Sequence, residues 1–190
     1  PVGRISNREI KAYVRSRVAL RANDPRTALE SLAFAQRDDA RPVARRALAD
    51  AYDAIGQGGR ASAIRLDLAA RGVATDADLF RAGDTSLQRR AWKDASVAFA
   101  LLIQRDSIDP MAMLHASNGL ATALEELGRA CEAASVRWLA LAAAIEARVP
   151  SLALVPLERR VADDAAAAFE FSMAIKRWRS LISRGQVDRG

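Results

Sequence analysis

Aromatic residues make up only 5% of this 190-residue chain. Cysteine and histidine occur once each, as Cys131 and His115. Lysine occurs three times, as Lys11, Lys93 and Lys176. A single cysteine excludes an internal disulfide framework. One histidine and one cysteine do not assemble a convincing metal-ligand set, so no metal is expected. The two residues stand on different predicted helices with no evident third partner, which argues against a nucleophile–base pair. The turn Gly56-Gln57-Gly58-Gly59 lacks the lysine and the preceding strand of a phosphate-binding loop. No cofactor and no catalytic residue are therefore expected. No run of 18 apolar residues exists, so no transmembrane helix is expected either. The chain starts Pro1-Val2-Gly3-Arg4, without an initiator methionine or an apolar signal region. The expectation is a fragment or a mature chain, cytoplasmic or, if processed, periplasmic.

What the chain has is alanine, leucine and arginine. Hydrophobic residues reach 51%, most of them alanine and leucine. Alanine is the best helix former and β-branched residues are sparse, so the composition favours helix throughout. The formal net charge is +6. Such a balance suits nucleic acid or an anionic surface, and it equally suits arginines that solvate outer helix faces. Aromatic residues do not interleave with the arginines, which weakens the nucleic-acid reading.

The alanines at 28, 61, 95 and 133 carry the organisation. Each lies early in a predicted helix, shortly after a break such as Asn23-Asp24-Pro25, Gly56-Gln57-Gly58-Gly59 or Gly128. A period of about 34 residues carried by pairs of short helices marks a helical solenoid.

The first helix is expected over 7–22, capped by Ser6 or Asn7, with Ile10, Tyr13, Val14, Val18 and Ala22 on one apolar face at helical spacing. Asp24 caps the second, Pro25 opens it, and it carries Ala28, Leu29, Leu32, Ala33 and Ala35 up to Asp38-Asp39. The third opens at Pro42 and ends at Gly56. A fourth helix is expected from about Arg60 to Ala70, and Thr75-Asp76 caps a fifth. The sixth starts near Ala91-Trp92, the seventh at Asp109-Pro110, and the eighth runs from Gly128 to about Ala147. Beyond Pro150 and Pro156, one long or two abutting helices are expected over 157–183, with a stripe of Phe171, Ile175, Trp178 and Ile182. Trp92 and Trp138 are expected to fill contacts between repeats. The pairs Glu125-Glu126 and Asp163-Asp164 read as solvated surface.

On these residues the chain resembles the tetratricopeptide repeat family. The second unit offers Leu48, Ala49, Tyr52, Gly56 and Ala61. The third offers Leu79, Ala82, Gly83, Ala95, Phe99 and Leu102, and the fourth Leu120, Ala121, Leu124, Gly128, Ala133 and Ala140. The first offers Ser16, Ala19, Ala28, Leu32 and Ala35. Arg65 and Arg137 stand where the family usually has an aromatic, Ser86 replaces tyrosine, and Arg90 replaces glycine. The resemblance implies an all-α, right-handed superhelix of about four helical hairpins with a C-terminal cap. The repeats would span about 9–41, 42–75, 76–110 and 111–149, followed by a cap over 151–184, in one domain.

The resemblance also implies a concave groove lined by the first helix of each hairpin. Carried over, its residues are Tyr13, Arg17 and Arg21, then Arg46, Asp50 and Asp53. Phe80, Asp84 and Gln88 follow, then His115, Asn118, Thr122 and Glu126. The groove would run from basic to acidic, or these are ordinary solvated charges. The asparagine clamp that holds chaperone tails in one subgroup is absent. The implied function is a non-enzymatic scaffold that holds a peptide, a helix or a partner subunit. In bacteria such repeats recur in envelope, secretion and polysaccharide-export assemblies. Two alternatives stand beside it: an arginine-rich binder of nucleic acid or anionic polymer, and a helical accessory domain of a larger cell-wall enzyme.

Overall fold

Helix follows helix along the chain, and most begin where the sequence places a start signal. The structure is a computed structural model and describes residues 7–37, 39–105, 108–167 and 171–183. Ser6, Asp38 and the expected end of the cap at Arg184 lie outside the described residues. The chain divides into two compact units, Pro1–Asp94 and Ala95–Gly190.

The first unit holds α1 (Asn7–Arg21), α2 (Pro25–Ser31), α3 (Pro42–Ala54), α4 (Gly58–Ala70) and α5 (Asp76–Gln88). Asp24 accepts a hydrogen bond from the Thr27 amide at 3.1 Å, and Pro25 sits in the first turn of α2, where a missing N–H costs nothing. Thr75 and Asp78 form a reciprocal capping box at the start of α5. The Asp78 amide donates to Thr75 Oγ1 at 3.2 Å, and the Thr75 amide donates to Asp78 Oδ2 at 2.8 Å. Such a cap contributes about 1 kcal/mol.

The second unit holds the greater part of α6 (Trp92–Ile103), then α7 (Pro110–Glu126), α8 (Ala130–Glu146), α9 (Ser151–Ala167) and α10 (Phe171–Ser183). Asp109 caps α7 by accepting from the amides of Met111 and Ala112, both at 3.0 Å. Gly119 lies inside α7 because a Cβ there would overlap the ring of Phe99 on α6. Leu154, Leu157 and Val161 of α9 share a buried cluster with Leu114, Ala140, Leu141 and Ala144, so α9 covers the α7–α8 hairpin.

The four periodic alanines are all fully buried. Five residues before each stands a left-handed residue: Asn23, Gly56, Arg90 and Gly128, with φ from 57° to 76°. The next amide then reaches back five residues at every one of these turns, Asp24 to Ala19, Gln57 to Tyr52, Ala91 to Ser86 and Arg129 to Leu124, at 2.8–2.9 Å. This is one helix-ending motif at four equivalent places. The repeat is therefore present in the backbone as well as in the sequence.

Several expectations need correction. On α1 the buried residues are Ser16 and Ala19, while Ile10, Val14, Val18 and Ala22 are exposed and Tyr13 is half-buried. Close approach of helices selects the small side chains over the apolar stripe. The second helix is α-helical only to Ser31, and the chain tightens to a 3-10 turn over Ala33–Gln36. The Leu32 amide, shared between the carbonyls of Ala28 and Leu29, marks the change. Helix α4 starts at Gly58, two residues early, because Gly58 and Gly59 let it approach Thr85 and Arg89 closely. Pro156 lies inside α9 and does not precede it. The carbonyl it leaves without a partner belongs to Leu152, which is 75% exposed and so open to water. On α10, Ile175 of the expected stripe is exposed, Trp178 is half-buried and Leu181 beside them is buried; the side chains of Phe171 and Ile182 lie outside the described residues. Trp92 is half-buried, whereas Trp138 is exposed beneath the Arg177 guanidinium, 5.2 Å from its ring centre.

Candidate functional site

Polar side chains on α1, α3 and α5 meet along one face of the first unit. Arg17 of α1 lies 3.4 Å from Asp50 of α3, and Arg81 of α5 lies 2.8 Å from the same carboxylate. Asp50 thus joins three consecutive first helices of the hairpins. From behind, the guanidinium of Arg65 on α4 reaches Asp50 at 3.0 Å and Asp53 at 2.6 Å. Arg65 is 1% exposed, so it is a buried cation held by two half-exposed carboxylates.

Arg46 makes a separate contact. Its guanidinium donates to Asp78 at 2.6 Å and also reaches the Val73 carbonyl. Burial pushes the Asp78 pKa up, but hydrogen bonds from Arg46 and Thr75 outweigh it, and the carboxyl stays below its ordinary value. Arg21 and Gln88 are exposed, and Phe80 and Asp84 are half-buried.

Within the second unit, His115 is exposed with its ring edge-on to Phe99, centres 6.2 Å apart. The Asn118 carbonyl accepts from Thr122 Oγ1 at 3.0 Å, and Thr122 and Glu126 are exposed. The structure therefore brings Arg17, Asp50 and Asp53 into one ionic network. It places Arg46 in a second contact, with Asp78.

Sequence reasoning missed the cations that organise these carboxylates. Arg137 of α8 is 3% exposed and lies 2.6 Å from Glu125 and 3.1 Å from Asp164. Glu125 and Asp164 are thus structural partners and not solvated surface. Burial alone would lower the Arg137 pKa, yet Glu125 and Asp164 together raise it, and Arg137 in turn holds Glu125 below the ordinary carboxylate value. A readable signal existed. Arg65 follows Asp53 by 12 residues, and Arg137 follows Glu125 by the same 12. Arg81 had no such signal, since its partner lies a full repeat away.

In chemical terms this face carries paired charges. Among the described residues, no group of three or more His, Cys, Asp or Glu side chains is placed to hold a metal ion. No helix of the described chain is long and apolar enough to cross a membrane.

Helical hairpins repeating at this period, with a small buried residue five places after each left-handed turn, define a tetratricopeptide-like helical repeat fold. Solved structures agree with that assignment. MamA 41-end from Desulfovibrio magneticus RS-1 matches with a TM-score of 0.60 at 15% identity, over 97% of this chain and 100% of that one. MamA AMB-1 matches with a TM-score of 0.64 at 17% identity, over 95% of this chain and 93% of that one. The nearly identical TPR-like repeats of a Podosopora anserina kinesin light chain match with a TM-score of 0.56 at 16% identity, over 97% of this chain and 100% of that one. No protein-family model matches the sequence, and no curated protein matches it.

Proposed function

We propose that this chain is a non-enzymatic scaffold that holds a partner protein along the first helices of its hairpins. The observation that carries the reading is the file Arg17–Asp50–Arg81, which runs across α1, α3 and α5 on one face. Successive helices that present alternating charge on a shared surface suit an extended segment or a helix laid across them. On this reading Tyr13, Arg21, Phe80, Asp84 and Gln88 would supply the remaining contacts in the first unit. His115, Asn118, Thr122 and Glu126 would play the same part in the second. The fold relationship supports a protein partner, and a larger assembly of the envelope or secretion type is the setting that the family resemblance suggests.

The ionic network decides how to test this. Asp50 and Asp53 hold the buried Arg65, so reversing their charge would damage the fold. Arg17 and Arg81 are exposed and can be changed without that penalty. Capture of partners from the source organism by the intact chain is compared with capture by Arg17→Glu, Arg81→Glu and Asp84→Arg. Loss of the same partner with all three variants, at unchanged melting temperature, supports the face. A partner indifferent to all three rejects it.

A further inference from the structure

The outer face of α1 carries an apolar ridge that the first unit does not cover. Ile10, Val14 and Val18 are 45%, 53% and 61% exposed and follow one another at four-residue spacing. The opposite side of the helix is fixed. Ser16 and Ala19 are buried, and Tyr13 and Leu20 pack against the core. Arg17 is tied to Asp50 and Glu9 to Arg37. Helix α1 therefore cannot roll to bury the ridge.

Charge flanks the ridge on both sides. At 100° per residue, Lys11 and Arg15 fall along one edge and Arg21 lies beside Val18 on the other, while Arg8 stands further round the helix. All four are exposed, and none has a partner among the described residues. This sets them apart from Arg17, Arg45, Arg46, Arg65, Arg81 and Arg137, each of which faces a carboxylate. The one acid on α1, Glu9, is already committed to Arg37. The face is thus a stiff ridge of three β-branched residues bordered by the uncompensated cations Lys11 and Arg15 on one side and Arg21 on the other.

We propose that this face docks an amphipathic helix of a partner protein, with an apolar seam flanked by aspartate or glutamate. Residues at i, i+4 and i+8 form the ridge that fits the groove between side chains of a second helix. Cations beside such a seam select a partner with acids in the flanking positions, as in paired helices. A second copy of α1 is excluded by repulsion, because the same cations would face one another. Nucleic acid would satisfy the cations but leave the ridge against phosphate and sugar, where it gains nothing. An anionic membrane would prefer leucine or aromatic anchors on a broader face, and α1 has neither beside its three short side chains. This surface adjoins the Arg17–Asp50–Arg81 file, with Arg21 beside both, and it is distinguished from that file by its apolar ridge.

The test uses the intact chain and a fluorescent helical peptide with a leucine ridge and glutamate flanks. A lysine-flanked version, a short DNA duplex and phosphatidylglycerol vesicles serve as competing probes. The glutamate peptide binds and the lysine peptide does not. The double variant Val14→Ser/Val18→Ser keeps every charge and weakens binding about tenfold, as does Lys11→Glu/Arg15→Glu. Arg81→Glu, on α5 and away from the ridge on α1, leaves this binding unchanged and so separates it from the scaffold groove. All of these positions are exposed, and unchanged melting curves confirm folding. The idea is overturned if the serine variant binds as well as the parent, if the glutamate peptide does not bind, or if DNA or vesicles bind and the peptide does not.

Discussion

Two buried arginines carry much of the difference between this chain and a plain repeat array. Four residues after each periodic alanine stands a fully buried side chain: Leu32, Arg65, Phe99 and Arg137. Twelve residues before each of these stand Leu20, Asp53, Leu87 and Glu125. The first and third units thus carry apolar residues at both positions, and the second and fourth carry an acid and an arginine. A guanidinium in such a slot supplies an aliphatic stem for packing and a charge that needs partners. Arg65→Ala removes both and should cost about 3 kcal/mol. Arg65→Met keeps the volume, and Asp50 and Asp53 can rehydrate because each remains about a third exposed. It should recover at least roughly 1 kcal/mol of the loss. Urea midpoints at a constant slope measure this difference, and a methionine variant no better than alanine would mean that charge, not volume, holds the slot. Both arginines were visible in the sequence as departures from the family pattern. Their partners were readable only through the shared 12-residue spacing, because adjacent pairs such as Glu125-Glu126 look alike until the fold turns one member inward.

At the scale of helices, local chemistry was legible and tertiary choice was not. Asp24-Pro25, Thr75-Asp76 and Asp109-Pro110 mark helix starts because a cap acts within three residues. The turns at Gly56 and Gly128 are equally local. The face of α1 was misread because apolar spacing reports which residues could be buried, whereas Ser16 and Ala19 report how closely the next helix approaches. Arg90 is the most informative of the turn residues. It adopts φ 57° at the position filled by Gly56 and Gly128 in neighbouring repeats, and its amide donates to the Leu87 carbonyl at 2.9 Å as theirs do to Asp53 and Glu125. A side chain in the left-handed region costs about 1–2 kcal/mol, and glycine returns roughly half of that as unfolded-state entropy. Arg90→Gly should therefore stabilise the chain by about 0.5–1 kcal/mol, while Gly56→Arg should destabilise it by a similar amount. Thermal melts of the two variants check the pair of signs. If Arg90→Gly lowers the melting temperature, the arginine side chain holds a contact that outweighs its strain.

For the molecule as a whole, the period and the charge balance set its character. The alanine intervals are 33, 34 and 38 residues, so the last step has four residues more than the one before it. The seventh helix absorbs the difference, since α7 has 17 residues where α3 and α5 have 13. One extra turn of helix keeps the same face inward, so the register of the fourth repeat survives. The fold was therefore legible from four alanines. The candidate face was legible only through the family pattern, because ionic partners a repeat apart leave no short-range trace. The charge balance makes a final prediction about acid. Asp78 and Glu125 are held below their ordinary pKa values by Arg46 and Thr75 and by Arg137, respectively, against the opposing effect of burial. A carboxylate with a depressed folded-state pKa contributes stability that is fully present above its unfolded value and is lost as pH falls through the folded one. Stability should thus be flat from neutral pH to about pH 5 and fall steeply below about pH 4. Protonation also raises a net charge that starts at +6, so self-repulsion steepens the fall. The raised Arg137 pKa adds nothing to this slope, because its contribution is lost only in strong alkali. Melting curves between pH 7 and about pH 3 test the window, and Asp78→Asn with Glu125→Gln should lower stability at neutral pH while flattening the acid limb. An acid limb unchanged in that double variant would assign acid unfolding to repulsion alone and remove these two carboxylates from the account.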